Sequence, residues 1–355
     1  FILDYYSRDT KDLLTKQALP GYTGFSDIVT NQGTLRNYGF EAEVRANIIN
    51  KGGFTWDMNA NISSVANKII SLPYNGVDKN RVGGYEVAAG KVGADGKFPT
   101  KWIAGRQEGG KLGELVAYKQ QHIFKDWDDV KQHANMRIDE VANLYGPGLA
   151  DQINPLTNKP YKESTGWQPI EPGDVCWEDM NGDDVINGYD RYVVGNIFPN
   201  ITGGFSTTFG YKGISLYARF DYALGHTLYN DLAARSLGQY QGSFNVIDKV
   251  KDTWSEANPN SDLPKFYYAD QLSKKNITRS NDSNTAADSN SSRFYEKGDY
   301  LALREITLSY QLPKSLISKV HMTDASVYVT GQNLFYITGY EGVSPEPVVS
   351  TTYGR

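Results

Sequence analysis

The sequence is poor in cysteine, in histidine and in long apolar runs, and each shortage argues against a class of protein. Its 355 residues contain one cysteine, Cys176, which cannot form an internal disulfide. Only 39% of the residues are hydrophobic, and no run approaches the roughly 20 apolar residues of a membrane-spanning helix. The sequence therefore argues against a disulfide-stapled domain and a helical membrane protein.

Motifs for catalysis and for nucleic-acid binding are also missing. The chain has no nucleophile elbow and no phosphate-binding loop. The formal net charge of -5 gives no basic field for nucleic acid. The four histidines show no metal-ligand spacing along the sequence: His122, His133, His226 and His321. We therefore expect a protein that is not an enzyme, carries no organic cofactor and does not bind nucleic acid.

Glycine and tyrosine are abundant, and polar and apolar residues alternate in long stretches. There are 35 glycines, 25 tyrosines and 14 phenylalanines, a composition typical of all-β proteins. In ISLYARFDYALG (214–225) every second residue is apolar or aromatic, which is the period of a β-strand with two unlike faces. The same pattern predicts seven strands of about 10 to 15 residues, at 1–16, 36–49, 54–70, 200–211, 214–225, 300–312 and 324–338.

In the strand that contains YGFEAEVRANI (38–48), Glu41, Glu43 and Arg45 share one face and the apolar residues share the other. Charged side chains cost about 2 to 4 kcal/mol against lipid at the midplane of a bilayer, whereas apolar ones are favoured there. We therefore expect the polar faces to line the interior of a transmembrane antiparallel β-barrel and the apolar faces to meet outer-membrane lipid. The charged residues predicted to face inwards are Glu41, Glu43, Arg45, Asp57, Arg219 and Asp221.

The connections between the strands are short on one side and long on the other. Turns at 50–53 and 212–213 are tight and 313–323 is moderate, whereas 17–35, 71–199 and 226–299 are long. This asymmetry is typical of outer-membrane barrels, which have periplasmic turns and extracellular loops. The chain begins without Met and its seventh strand runs outwards, so we expect a piece of a longer protein that lacks a closing strand.

The long loops contain their own patterns. Apolar spacing predicts loop helices at 128–145 and 244–254, and the Asn- and Ser-rich segment 271–292 is predicted to be mobile. Four tryptophans in the first large loop could stack on a sugar, although packing within the loop or against a partner is the commoner role. They are Trp102, Trp127, Trp167 and Trp177.

The segment DMNGDDVINGYD (179–190) matches the spacing of a calcium-binding loop, because oxygen ligands recur at alternate positions. Position 6, usually Gly, is Asp184, and position 12 is a short Asp rather than Glu. The alternative is a loop in which the same carboxylates accept backbone N–H groups as Asx-turns. The predicted Ca²⁺ ligands are Asp179, Asn181, Asp183, the carbonyl of Val185, Asn187 and Asp190, with Ile186 as the apolar anchor.

The ordered series of segments resembles the carboxyl-terminal part of SusC/RagA-type TonB-dependent transporters of Bacteroidota. The resemblance rests on NQGTLRNYGFEAEV, FTWDMNANISSVANKIISL, PGDVCWEDMNGDDVINGYD and DYLALREITLSYQLP. It also rests on two motifs near the end, Gly331-Gln332-Asn333-Leu334 and Tyr340-Glu341-Gly342-Val343-Ser344-Pro345-Glu346. It covers nearly the whole chain, with Asp184 in place of the second glycine of the acidic segment.

The resemblance implies a 22-stranded barrel with an amino-terminal plug in a Gram-negative outer membrane. It further implies a SusD-like surface lipoprotein as partner, energy from TonB–ExbB–ExbD, and a dimer of transporter–lipoprotein pairs as one arrangement. The plug and the last strand lie outside this chain. In this setting Arg219 and Asp221 are expected to pair with the plug rather than to bind cargo. The cargo would be a glycan or an oligopeptide, with Trp102, Trp177, Arg219 and Asp221 as candidate contacts.

Two other classes of protein are compatible with the same alternation. A soluble calcium-dependent carbohydrate-binding β-module would also have two-faced strands, but shorter strands and more even loops. A passive porin would share the barrel and lack the plug and the TonB dependence.

Overall fold

The computed structural model describes residues 1–19, 21–138, 144–155, 157–163, 168–238, 247–266 and 291–346 of the chain. Within these ranges, no helix is both long and apolar enough to cross a membrane. Trp167 and residues 271–290 of the Asn- and Ser-rich segment lie outside the described residues.

The elements follow one another as three long strands, a large insertion, two long strands, a second insertion and two long strands. The first three are β1 (Ile2–Ala18), β2 (Asp27–Lys51) and β3 (Phe54–Ser71). The insertion holds β4 (Tyr85–Ala88), β5 (Thr100–Ile103), β6 (Glu114–Tyr118), β7 (Gln120–Ile123), α1 (Trp127–Gln132), β8 (Arg137–Ile138), β9 (Leu144–Tyr145), β10 (Ile153–Asn154), β11 (Lys159–Pro160), β12 (Val175–Trp177), β13 (Val185–Ile186) and β14 (Arg191–Asn196). Then come β15 (Ile201–Tyr211), β16 (Ile214–Leu224), β17 (Thr227–Tyr229), α2 (Asp231–Gly238), β18 (Tyr295–Lys297), β19 (Tyr300–Gln311), α3 (Lys314–Ile317) and β20 (Ser326–Thr338).

The seven long strands form one antiparallel sheet in the order β1-β2-β3-β15-β16-β19-β20, as the sequence predicts. The strands are 11 to 25 residues long. The first two strands of the chain, β1 and β2, are longer than the alternation indicates. The predicted loop at 17–35 is wrong in extent, because Thr15 pairs with Thr30 and Ala18 with Asp27. Ladder hydrogen bonds therefore continue β1 and β2 past the end of the alternating pattern.

Two tight turns set the register of the sheet. Gly52 and Gly53 join β2 to β3 with φ of +65° and +80°, and Lys212 and Gly213 join β15 to β16 with φ of +46° and +87°. Two-residue hairpins of this kind need positive φ at both positions, which glycine adopts without strain. Both turns lie at the same end of the strands, while the two insertions leave from the opposite end.

The pairing keeps apolar residues together on one face of the sheet. Phe205 lies opposite Phe220 in the ladder, and their rings stack with centroids 4.7 Å apart. On the same face Trp56 stacks on Phe209 at 5.6 Å. Because side chains alternate with a period of two, Asp57, Arg219 and Asp221 lie together on the other face.

One bulge interrupts this pattern. In β19, Arg304 is an extra residue opposite β16, since Leu303 pairs with Phe220 and Glu305 with Arg219. A bulge leaves one residue out of the ladder and allows the chain to bend. Here it keeps Leu303 on the apolar face and leaves Arg304 on the polar face.

The insertion between β3 and β15 has a hydrophobic core of its own, to which Trp254 of the second insertion contributes. The predicted helix at 128–145 is wrong in extent. Asp126 caps a short helix by accepting the N–H groups of Asp128 and Asp129, and α1 ends at Gln132. Downstream, β8 pairs in parallel with β13, and this ladder replaces the helix although Val130 and Ile138 are both buried. Of the predicted helix at 244–254, residues 247–254 are described, and they contain one 3₁₀ helix, Asp248–Asp252.

Arginine substitutions on the two faces of β16 test which face meets lipid. Phe220→Arg places a charge on the apolar face and should lower the free energy of unfolding by at least about 2 to 4 kcal/mol. Tyr217→Arg, on the polar face of the same strand, is the matched control and should cost clearly less. The measurement is denaturant unfolding of the protein in lipid vesicles, and equal losses in both variants would contradict the assignment of faces.

Candidate functional site

The polar face of the sheet carries a groove of about 520 Å³ that crosses β3, β15, β16 and β19. Small residues of β15 form its floor, and amide and charged side chains stand at its sides. Asn61 accepts the backbone N–H of Gly204 at 3.1 Å. The polar and charged residues that line the groove are Asn59, Asn61, Ser206, Tyr217, Arg219, Asp221 and Arg304.

Arg304 is the centre of a hydrogen-bonded ion cluster in this groove. Its guanidinium binds the carboxylate of Asp221 in a bidentate manner, with Nη2 to Oδ2 at 2.9 Å, and also donates to Glu346. Nη1 donates to the hydroxyl of Tyr336 at 3.0 Å, and this hydroxyl in turn donates to Glu346 at 2.9 Å. The side chain of Arg304 is only 18% exposed, so the cluster fixes the guanidinium in one orientation.

The cluster joins the two terminal motifs to the sheet. Glu346 ends the YEGVSPE segment, and Asn333 of the GQNL segment accepts weakly from Arg304 at 3.4 Å. Asn333 has a φ of +49° where β20 shifts register against β19. The chain after β20 is thereby folded back over the polar face and held to β16 and β19.

The candidate contacts predicted from sequence have different surroundings. Asp221 lies in the groove but is paired with Arg304, while the ladder partner of Arg219 is Glu305. Whether either of them meets a plug or a cargo stays a prediction. Trp102 is partly exposed, and the guanidinium of Arg81 lies 3.3 Å from its ring centroid, so a cation covers one ring face.

Trp177 requires a correction. Its side chain is fully buried in the core of the large insertion, where it packs edge-on against Tyr118 with centroids 6.3 Å apart. A ligand cannot stack on a ring that neighbouring side chains enclose. Trp177 therefore packs the core of the large insertion and is not a sugar contact. Trp127, in contrast, is 51% exposed.

The acidic loop at 179–190 has the fold of consecutive Asx-turns. Asp179 accepts the N–H groups of Gly182 and Asp184 at 2.6 and 2.8 Å, and Asp183 accepts that of Val185 at 2.9 Å. Asp184 takes a φ of +63°, the turn for which glycine is usual at this position. This geometry agrees with the alternative to calcium binding, in which the carboxylates of the loop accept its backbone N–H groups.

The donor set of the loop also fits a hard cation. The atoms predicted to bind the metal are all oxygens, which suits Ca²⁺. Each carboxylate oxygen that accepts a hydrogen bond keeps a second lone pair for a cation. Ile186 is fully buried, as an apolar anchor should be. Calcium binding by Asp179, Asn181, Asp183, Val185, Asn187 and Asp190 stays a prediction.

Sequence reasoning missed the centre of the groove, Arg304. The signal for it is LALREITL (301–308), where two polar residues in succession break the alternation between Leu303 and Ile306. Such a break indicates a bulge. The pairing of Arg304 with Glu346 could not be read from sequence, because 42 residues separate the two.

The chain is similar over nearly its whole length to much longer proteins. TonB-dependent receptor P3 of Formosa agariphila is 27% identical over 343 residues, which are 97% of this chain and 28% of that protein. TonB-dependent receptor SusC of Bacteroides thetaiotaomicron is 24% identical, over 97% of this chain and 27% of its own length. The chain thus spans less than a third of these relatives, which are named as receptors and not as enzymes. No protein-family profile matches the chain.

Solved structures show the same fold. The RagAB peptide transporter superposes with a TM-score of 0.61 at 19% identity, covering 97% of this chain and 30% of that one. The RagAB peptide importer in its open-open state gives 0.59 at 20% identity with the same coverage. The resemblance to SusC/RagA-type transporters and the predicted β-barrel fold class are confirmed.

The cluster around Arg304 can be tested by removing one charge. Asp221→Asn removes the bidentate ion pair and leaves Arg304 to Glu346 and Tyr336. We expect the free energy of unfolding to fall by about 1 to 2 kcal/mol, which is low for a charged hydrogen bond because Asp221 is partly exposed. We also expect residues 339–346 to exchange their amide hydrogens faster. Asp57→Asn, on the same face with Asn47 as its partner at 2.7 Å, is the control. Unchanged exchange at 339–346 in Asp221→Asn would contradict the role of the cluster.

The acidic loop should become less stable as the pH rises. Burial raises the pKa of Asp190 to about 7, helped by the charges of Asp179 and Asp183 and opposed by two backbone N–H groups. Because this lies above the ordinary value of 3.8, the folded loop holds the proton more tightly than the unfolded chain. The resulting stability is full below about pH 4 and is lost as the pH rises through about 7.

Hydrogen exchange of 174–195 in chelator measures this effect. Protection should be greater at about pH 5.5 than at about pH 8.5, and Asp190→Asn should remove the difference. Asp151→Asn, an 83% exposed side chain in the same insertion, should retain it. Added Ca²⁺ should restore protection at the higher pH if the loop binds the ion, whereas protection equal at both pH values in chelator would contradict the raised pKa of Asp190.

Proposed function

We propose that this chain, similar over nearly its whole length to SusC/RagA-type TonB-dependent receptors, forms the carboxyl-terminal part of the barrel of an outer-membrane importer. The observation that carries the proposal is the two-faced seven-stranded sheet. One face gathers Asn, Ser, Asp and Arg side chains in a groove, while the other gathers aromatic and aliphatic ones. Such a sheet suits a wall between lipid and a polar passage.

In this proposal the polar face lines the route of the cargo beside the plug. Its residues hold no reacting group and act by presenting fixed hydrogen-bond donors and acceptors. Arg304, Asp221 and Glu346 neutralise one another in part, so the groove offers a polar surface with one surplus negative charge. Arg219 stands in the same groove opposite Glu305 in the ladder, and this pair of opposite charges leaves the surplus unchanged.

The two insertions would form an extracellular surface for a SusD-like lipoprotein. They leave from the end of the strands opposite the tight turns, and the first insertion has a hydrophobic core of its own. Apolar side chains remain exposed on it, among them Tyr74 at 75% and Ile153 at 55%. Exposed apolar groups on a folded loop are suited to burial against a partner. The chain would work with TonB–ExbB–ExbD through a plug that lies outside it.

The cargo is proposed to be an oligopeptide or a glycan. The structural neighbours named above are described as peptide transporters, which favours the peptide. Exposed Trp127 stands in a cleft of about 790 Å³ between the two insertions, and an aromatic ring there is suited to a sugar as well.

Uptake by intact cells tests the proposal. Cells that express the protein should accumulate a labelled oligopeptide mixture or a labelled oligosaccharide mixture, and inactivation of TonB or collapse of the proton gradient should abolish this uptake. A deletion strain is the background control. Uptake that persists without TonB would contradict the importer and indicate a passive porin, and recovery of the protein without detergent would indicate the soluble β-module.

A further inference from the structure

The fold brings together two histidines and the cysteine that are far apart in the sequence. One ring nitrogen of His122, one of His133 and the sulfur of Cys176 lie within 4.8 Å of one another. The sulfur is 4.0 Å from Nε2 of His133. The absence of metal-ligand spacing in the sequence is thus misleading, because the ligands come from three different elements.

Local geometry explains the convergence. His122 on β7 and Cys176 on β12 are direct partners in an antiparallel ladder, so their side chains leave the sheet on the same face. His133 follows α1, and Asp129 lies one helical turn before it, which places both on one side of the helix. Asp129 also reaches across to His122, with Oδ2 to Nε2 at 3.2 Å.

We propose that His122, His133 and Cys176, supported by Asp129, form a binding site for Zn²⁺ in the large insertion. Imidazole and thiolate donors select Zn²⁺ and related transition metals over Ca²⁺ and Mg²⁺, so this site differs in chemistry from the acidic loop at 179–190. Tetrahedral Zn²⁺ with bonds of about 2.0 to 2.3 Å brings its donors roughly 3.3 to 3.8 Å apart. The present separations are at most 4.8 Å, so side-chain rotations that shorten them by up to about 1.5 Å meet this requirement.

The surroundings suit a bound cation. Cys176 is fully buried and contacts the apolar core of the insertion, while His122 is about one-third exposed and leaves a way in for the ion. Burial and the charge of Asp129 raise the pKa of the Cys176 thiol to about 12. A divalent cation reverses this effect by binding the thiolate and releasing its proton. Asp129 orients His122 through its hydrogen bond, as carboxylates commonly do for ligating histidines.

The consequence for the fold is a cross-link between α1 and the β7–β12 pair. The core of the insertion contains residues of all three elements, among them Ile123, Val130 and Val175. A Zn²⁺ ion would cross-link these three elements beside the partly exposed His122, where the core of the insertion meets solvent. The proposal does not depend on the transport function.

Metal content and cobalt spectroscopy of the full-length protein in detergent test the site. The variants are Cys176→Ser and His122→Gln, and the control is His321→Asn. His321 is exposed in the connection between β19 and β20 with a φ of +58°, a conformation that Asn adopts readily. Each sample is dialysed against Zn²⁺, or against Co²⁺ as a spectroscopic probe. Migration on unheated gels shows whether each variant has folded.

Wild type and His321→Asn should each hold one more Zn²⁺ per chain than Cys176→Ser and His122→Gln. Co²⁺ should give a thiolate-to-metal charge-transfer band that Cys176→Ser loses. Asp129→Asn should weaken Zn²⁺ binding by about 10- to 100-fold. Equal Zn²⁺ content in all variants, or bound Co²⁺ without a thiolate band in wild type, would overturn the proposal. If Cys176→Ser fails to fold, the partly exposed His122→Gln decides.

Discussion

The structure depends on the strict register of its antiparallel sheet. Side chains alternate between faces with a period of two, so a slip of one residue in any pairing would move charges onto the apolar face. The pairings of β15 with β3 and β16 run without interruption from Ile201 to Tyr211. Tight turns at Gly52-Gly53 and Lys212-Gly213 fix the starting points of these ladders.

The bulge at Arg304 allows the sheet to carry a defined site without losing its two faces. An extra residue in β19 leaves Leu303 on the apolar face and frees one cation on the polar face. That cation then gathers Asp221, Tyr336 and Glu346. A local departure from regular pairing thus holds the end of the described chain against the polar face.

The long strands could be predicted from the sequence because their alternation is enforced by two unlike environments over more than ten residues. The acidic loop could be recognised because its contacts are local, as in the hydrogen bonds of Asp179 to Gly182 and Asp184. The insertions could not be predicted in the same way. Trp177, the helix at 128–145 and the His122–His133–Cys176 cluster are decided by contacts between residues distant in sequence. A helical pattern in the chain after α1 gives way to the pairing of β8 with β13.

The most direct test of the two-faced sheet is spin-label accessibility along β16 in lipid vesicles. Labels placed one at a time from 214 to 224 are exposed to oxygen, which concentrates in lipid, and to a water-soluble nickel chelate. We expect even-numbered positions to favour oxygen and odd-numbered positions to favour the chelate, with a period of two. Accessibility to the chelate at every position, or no periodicity, would contradict a sheet that separates lipid from a polar passage.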